Sequence, residues 1–193
     1  MNKMNLPNKL TLSRVIAIPI FIIFFVIGMK NEHIISLIMK IDLFRLFAAI
    51  IFVAASITDY FDGKIAREQN LVTDFGKLLD PLADKMLVIT ALILLTENKE
   101  VNYLCTLIVV LRELTISSIR LVALERGIVI AASIWGKLKT ASQMVAIILI
   151  LFNFYTINNF CYYLTYGIFY ISTLFVIISL IDYIWKSRDV FKF

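Results

Sequence analysis

Apolar residues run through this chain in continuous blocks, such as "VIAIPIFIIFFVIGM" and "LFVIISLI", rather than in strict alternation with polar ones. Alternation marks a barrel strand, whereas an unbroken block of about 20 residues marks a helix that can cross a bilayer. The blocks predict six spanning helices, at about 10–29, 41–62, 80–96, 101–124, 137–155 and 160–184. The connections "KNEHIISLIMK", "ENKE" and "FYTINNF" then fall on one side of the membrane. The N-terminal segment, residues 63–79, residues 125–136 and "WKSRDVFKF" fall on the other.

The blocks are uneven. From Thr140 to Ile181 there is no charge, which gives two clean spans separated by the turn-like "INN". Between Arg45 and Asp59 the uncharged run is only "LFAAIIFVAASIT", and between Lys85 and Glu97 only "MLVITALILLT". Each is too short to cross the hydrocarbon alone, and Arg112, Glu113 and Arg120 interrupt the fourth span. Charges at such depth are costly unless they line a polar space, so the pattern predicts a cavity inside the bundle, open to the cytoplasm.

Composition agrees with this picture. The chain is 61% hydrophobic, far above the roughly 45–50% of a soluble domain, and its 193 residues suit one domain spanning 1–193. The fold class expected is therefore an all-α integral membrane protein, a six-transmembrane-helix bundle. Its net charge of +5 sits at helix ends, in Lys3, Lys9, Lys64, Arg67, Lys77, Arg126, Lys137, Lys139, Lys186, Arg188 and Lys192. These share one side, and the positive-inside rule makes it the cytoplasm, with both termini there and a multi-pass location in the cell membrane. No soluble basic domain remains to bind nucleic acid.

Other chemistries drop out in turn. Cys105 and Cys161 each lie in an apolar segment, which leaves neither a disulfide framework nor a C-x-x-C metal site. The single histidine, His33, falls in a short polar connection and excludes Ser-His-Asp, Cys-His and His-rich zinc sites. The first block lacks a small-residue cleavage site and is read as a retained span. "DFG" at 74–76 has no Gly-rich phosphate loop or H-R-D loop to accompany it, which removes a kinase reading.

What remains is a concentration of carboxylates. Asp59 and Asp62 are three apart and Asp80 and Asp84 four apart, so on helices each pair shares a face. The intervening turn lets the pairs converge near the cytoplasmic surface. Four carboxylates in a low-dielectric space repel one another unless they share protons, pair with cations or bind metal. Oxygen-only ligands suit Mg²⁺ or Mn²⁺, and two such ions about 3.5–4 Å apart make a clamp for displacement at phosphorus. Gly63, Ala66 and Gly76 remove bulk beside the acids, Arg67 is placed to hold a phosphate oxygen, and Pro81 suits the first turn of the third helix. The competing account makes the acids solvated helix ends paired with Lys64, Arg67, Lys77 and Lys85.

"DYFDGKIAR" followed by "GKLLDPLAD" resembles the signature of the CDP-alcohol phosphatidyltransferase family, D-x-x-D-G-x-x-A-R, a spacer, then G-x-x-x-D-x-x-x-D. Every defined position is present: Asp59, Asp62, Gly63, Ala66, Arg67, Gly76, Asp80 and Asp84. The resemblance implies transfer of a phosphatidyl group from CDP-diacylglycerol to an alcohol with release of CMP, a step of phospholipid biosynthesis. It implies further that the four aspartates bind two divalent ions, Mg²⁺ or Mn²⁺, and that Asp84 is the base. Asp62, Gly63, Ala66, Arg67 and Gly76 then border CDP-diacylglycerol, and the chain forms a homodimer.

"LPNKLTLSRVIAIP" and "GKLKTASQ" resemble segments of the bacterial members whose acceptor is glycerol 3-phosphate. A phosphorylated acceptor calls for fixed cations, and Arg112, Arg120, Lys137 and Lys139 are the candidates, with Arg112 and Arg120 on one face. Against this, the lysines serve equally as positive-inside residues, and Arg112 can pair simply with Glu113 or another acid, although an arginine so deep in a span rarely persists without a buried task. Asn8, Thr11 and Arg14 are candidates to line the cavity from the first helix, with helix capping the alternative for Asn8 and Thr11. Other acceptors, serine or inositol phosphate, fit the same signature. Carboxylates inside a bundle also fit a cation transporter, although such proteins usually show internal repeats, and none is visible.

Overall fold

The computed structural model describes residues 6–35, 43–68, 74–127 and 133–188, with side chains described over 12–30, 43–58, 85–123, 125–127 and 133–188. Among these residues the chain is all helical. Six α-helices run in order: α1 (Leu6–Ile35), α2 (Leu43–Glu68), α3 (Asp74–Glu97), α4 (Tyr103–Glu125), α5 (Ile134–Leu151) and α6 (Asn159–Ser187). A single 3-10 turn, Phe154–Thr156, precedes α6. Leu12–Lys30, Ile134–Leu151 and Asn159–Ser187 are long and apolar enough to cross a bilayer, and Leu43–Thr58 is an apolar stretch of shorter length.

The helices outrun the apolar blocks. α1 continues to Ile35, so His33 lies in its last turn and not in a connection. α2 continues through the first half of the aspartate motif to Glu68, and α3 begins at Asp74, so most of the expected 63–79 connection is helical. Pro81 consequently sits well inside α3 rather than in its first turn. The cause is general: apolarity reports where a helix meets lipid, while Asp, Lys, Arg and Glu extend a helix without strain beyond that point. The turn-like "INN" is a helix start, where Asn158 Oδ1 accepts from the Cys161 N–H at 2.7 Å and caps α6.

The chain packs as two compact units, Met1–Asn98 and Lys99–Phe193. In the first, α1 packs along α2 and also against α3. Ala48, Ala49 and Ala55 give α2 a small-residue face that lets α1 approach, and Phe21, Phe25 and Phe52 fill the seam. The Phe21 ring lies 6.0 Å from Phe25 and 5.9 Å from Phe52, between centroids. Arg45 is buried with its guanidinium 5.7 Å from the Phe25 ring centroid.

In the second unit α6 is the central element, packed on α5 and α4. Its buried positions include Thr165, Phe169, Ser172, Val176, Ser179 and Tyr183, a heptad-like stripe that alternates small polar with bulky side chains. Tyr155 Oη donates to Glu100 at 2.8 Å and stacks near Tyr166, which ties the turn before α4 to the turn before α6. In both units large apolar side chains point outward, among them Ile16, Ile23, Leu107, Leu114, Leu174 and Ile181. A surface of this kind suits lipid contact.

Candidate functional site

The aspartate motif occupies helical backbone. Asp59, Asp62, Gly63, Ala66 and Arg67 lie on the closing turns of α2, and Gly76, Asp80 and Asp84 on the opening half of α3. Helical spacing puts Asp59 with Asp62, and Asp80 with Asp84, on one face of each helix. The side chains of these eight residues lie outside the described set. Among the described residues no group of three or more His, Cys, Asp or Glu gathers as a metal site. The donor chemistry of the motif nevertheless fits hard divalent ions, since it offers carboxylate oxygens and no thiol or imidazole.

Immediately before the motif, α1 and α2 enclose a groove of about 290 Å³ whose lining includes Ser13, Arg14, Ala17, Ala54, Ala55 and Thr58. Arg14 is 2% exposed. Thr58 neighbours Asp59 in sequence, so Arg14 lies in the unit that carries the motif. The side chains of Asn8 and Thr11 are outside the described residues.

The second unit carries a cluster of charge. The buried positions of α4 include Val109, Glu113, Ile116 and Ala123, spaced three, four or seven apart as on one helix face. Glu113 thus fills a core position of an otherwise apolar stripe. A carboxylate placed there is strongly destabilising unless cations and hydrogen bonds compensate it. Two do so: Lys139 Nζ, from α5, lies 2.7 Å from Glu113 Oε1, and Arg112 Nη1 lies 2.8 Å from the same oxygen. Lys139 is itself 5% exposed, on the α5 face that also buries Gln143, Ala146 and Ile150.

Arg112 reaches further. Its Nη2 donates to Ser179 Oγ on α6 at 2.6 Å, and Gly136 of α5 lies against the same group, since a Cβ there would stand 3.5 Å from Arg112 Nη2. One guanidinium therefore meets all three helices of the unit. Arg112 Nε and both amide atoms of Gln143 are buried without hydrogen-bond partners among the described residues. Farther along the α5–α6 seam, Ser133, the N-cap residue of α5, donates instead to Asp182 Oδ2, which Lys186 also contacts.

The four candidate cations accordingly divide. Arg112 and Lys139 converge on Glu113, while Arg120 and Lys137 are exposed. Arg120, about two turns on, is exposed where Arg112 is nearly buried, and two residues turn Lys137 away from Lys139. The sequence reading weighed a pairing of Arg112 with Glu113 but not the meeting of both cations on it. The signal was present, as an acid at the buried register of an apolar stripe. Ser179 and Asp182 carried no such signal.

Comparison with known proteins adds to the geometry. The family model described as CDP-alcohol phosphatidyltransferase matches residues 4–184. A Bacillus subtilis protein named CDP-diacylglycerol–glycerol-3-phosphate 3-phosphatidyltransferase is 36% identical over 97% of this chain and 97% of its own length. The protein of the same name from Wigglesworthia glossinidia brevipalpis is 34% identical, over 98% of this chain and 99% of its own. The one from Rickettsia bellii is 41% identical over 74% of this chain and 72% of its own.

Proposed function

This chain belongs to the CDP-alcohol phosphatidyltransferase family, and we propose that it transfers the phosphatidyl group of CDP-diacylglycerol to glycerol 3-phosphate, giving phosphatidylglycerophosphate and CMP. The observation that carries this is similarity along nearly the whole length of a relative named for that reaction. It favours the transferase over the cation transporter that intramembrane carboxylates alone would also fit.

In this reading Asp59, Asp62, Asp80 and Asp84 hold two divalent ions, Mg²⁺ or Mn²⁺, which when bound neutralise the diphosphate charge that grows as CMP departs. Gly63, Ala66 and Gly76 let the nucleotide approach the backbone, with Asp62 and Arg67 beside it. The acceptor hydroxyl oxygen forms a bond to the phosphatidyl phosphorus while the bond to the CMP oxygen breaks. Asp84 takes the hydroxyl proton, and no covalent enzyme intermediate is required. Arg112 and Lys139 bind the acceptor phosphate, with Arg120 and Lys137 drawing it in from the surface. Arg14 lines the cavity with Asn8 and Thr11.

The same reading makes 1–193 one catalytic domain of six spans, with both termini and the polar cavity on the cytoplasmic side, working as a homodimer. Purified protein supplied with CDP-diacylglycerol, Mg²⁺ or Mn²⁺ and glycerol 3-phosphate should release CMP. If serine or inositol phosphate serves and glycerol 3-phosphate does not, the acceptor assignment is wrong.

A further inference from the structure

We propose that Glu113 is a positioning residue for the acceptor phosphate: it holds Arg112 and Lys139 together and oriented before the ligand arrives. The proposal rests on the acceptor reading above and adds a role for a residue that the reading leaves idle.

Two observations carry it. The first is the shared oxygen. Arg112 Nη1 and Lys139 Nζ both lie within hydrogen-bond distance of Glu113 Oε1, and Glu113 is 6% exposed. Two cations brought so close in a poorly solvated place repel each other. A carboxylate between them opposes that repulsion and fixes where each stands.

The second is the state of the guanidinium. Arg112 is anchored at Nη1 by Glu113 and at Nη2 by Ser179, while its Nε is buried with no partner among the described residues. A buried N–H donor left over in a well-anchored group calls for an acceptor. The phosphate supplies oxygens of that kind, and Gly136 keeps the backbone beside the guanidinium free of a side chain.

A rival account makes the cluster a stitch among α4, α5 and α6 with no part in binding. Steady-state kinetics separate the two. Wild type, Glu113→Gln, Glu113→Asp, Lys139→Gln and Arg112→Gln, as full-length purified enzymes, are assayed for CMP release with glycerol 3-phosphate and CDP-diacylglycerol varied in turn. Glu113→Gln is expected to raise KM for glycerol 3-phosphate roughly ten-fold or more, the size of one lost charge-assisted bond. KM for CDP-diacylglycerol should stay within about two-fold and kcat within about three-fold, since neither depends on the acceptor phosphate before it binds. Glu113→Asp retains the charge and should recover part of the loss.

The proposal is overturned if Glu113→Gln binds glycerol 3-phosphate as wild type does while Lys139→Gln and Arg112→Gln bind it poorly. If none of the variants affects KM for glycerol 3-phosphate, the acceptor reading itself fails, and this proposal with it. Should Glu113→Gln not fold, Glu113→Asp decides: equal loss in kcat and in both KM values marks a purely structural role.

Discussion

Arg112 on α4 and Ser179 on α6 are joined by a 2.6 Å hydrogen bond across 67 residues of sequence, with the guanidinium held at its other Nη by Glu113. A hydrogen bond to a charged, nearly buried group is worth more than an ordinary one. Ser179→Ala should therefore lower stability by about 1–3 kcal/mol. Arg112 keeps its Glu113 anchor, so activity should fall only a few-fold. Thermal unfolding in detergent beside the CMP-release assay checks both, and an unchanged melting temperature would show the bond to be unimportant.

The charge cluster should respond asymmetrically to losing its members. Arg112→Met removes the bonds to Glu113 and Ser179 but leaves Glu113 its contact with Lys139, at a cost of about 1–3 kcal/mol. Glu113→Leu leaves two cations facing each other without their shared carboxylate, at a cost of about 3–5 kcal/mol. Denaturation of the two variants in one detergent gives the order directly. The reverse order would mean that the guanidinium, not the carboxylate, holds the cluster together.

Gly136 tests how tightly α5 lies over the Arg112–Ser179 bond. An added Cβ would meet Arg112 Nη2 at 3.5 Å and Ser179 Oγ at 3.7 Å, ordinary contact distances. Gly136→Ala should thus be neutral or stabilise α5 by about 0.5–1 kcal/mol through its better helix propensity. Gly136→Leu must push the guanidinium aside and should cost about 1–3 kcal/mol. Melting curves for the pair distinguish a close seam from an open one.

How much of this was legible beforehand follows from which forces leave a local trace. A bilayer demands continuous apolar residues, so the centres of all six helices could be read from hydropathy. Their ends could not: Ile35, Glu68 and Asp74 lie in polar stretches where nothing obliges a helix to stop. Arg112 stood out because charge is costly within a span, whereas Lys139 was a candidate only as one of four cations for a phosphorylated acceptor. Glu113 was visible only as a possible mate for Arg112, since its meeting with Lys139 depends on the register of α4 against α5. Ser179 and Asp182 were illegible, because a serine in an apolar helix or an acid near its end is compatible with many surroundings. The aspartate motif was legible from its spacing as helical sequence, three and four apart, and its backbone is helical.

Ser133 offers a test of cap against tertiary bond. It stands at the N-cap of α5 without a side-chain capping bond, and its hydroxyl donates to Asp182 on α6. Ser133→Ala should cost about 1 kcal/mol from the lost bond. Ser133→Asp supplies a good capping group yet sets a second carboxylate against Asp182. If the tertiary bond dominates, Ser133→Asp melts below Ser133→Ala. If capping dominates, it melts above.

The motif aspartates should be essential to chemistry and dispensable for folding. They lie on the closing turns of α2 and the opening half of α3. Asp84→Asn keeps the shape of the side chain but cannot accept the acceptor's proton and is a poorer metal ligand, so turnover should fall at least about 100-fold. The melting temperature without metal should stay close to that of wild type. Chelation of divalent ions should likewise abolish CMP release from wild type, and Mg²⁺ or Mn²⁺ should restore it. Addition of Mg²⁺ or Mn²⁺ should raise the melting temperature of wild type, because an ion that binds only the folded state stabilises it, and should raise that of Asp84→Asn less. Full activity in Asp84→Asn, or in chelated wild type, would remove the carboxylate–metal centre from the reaction.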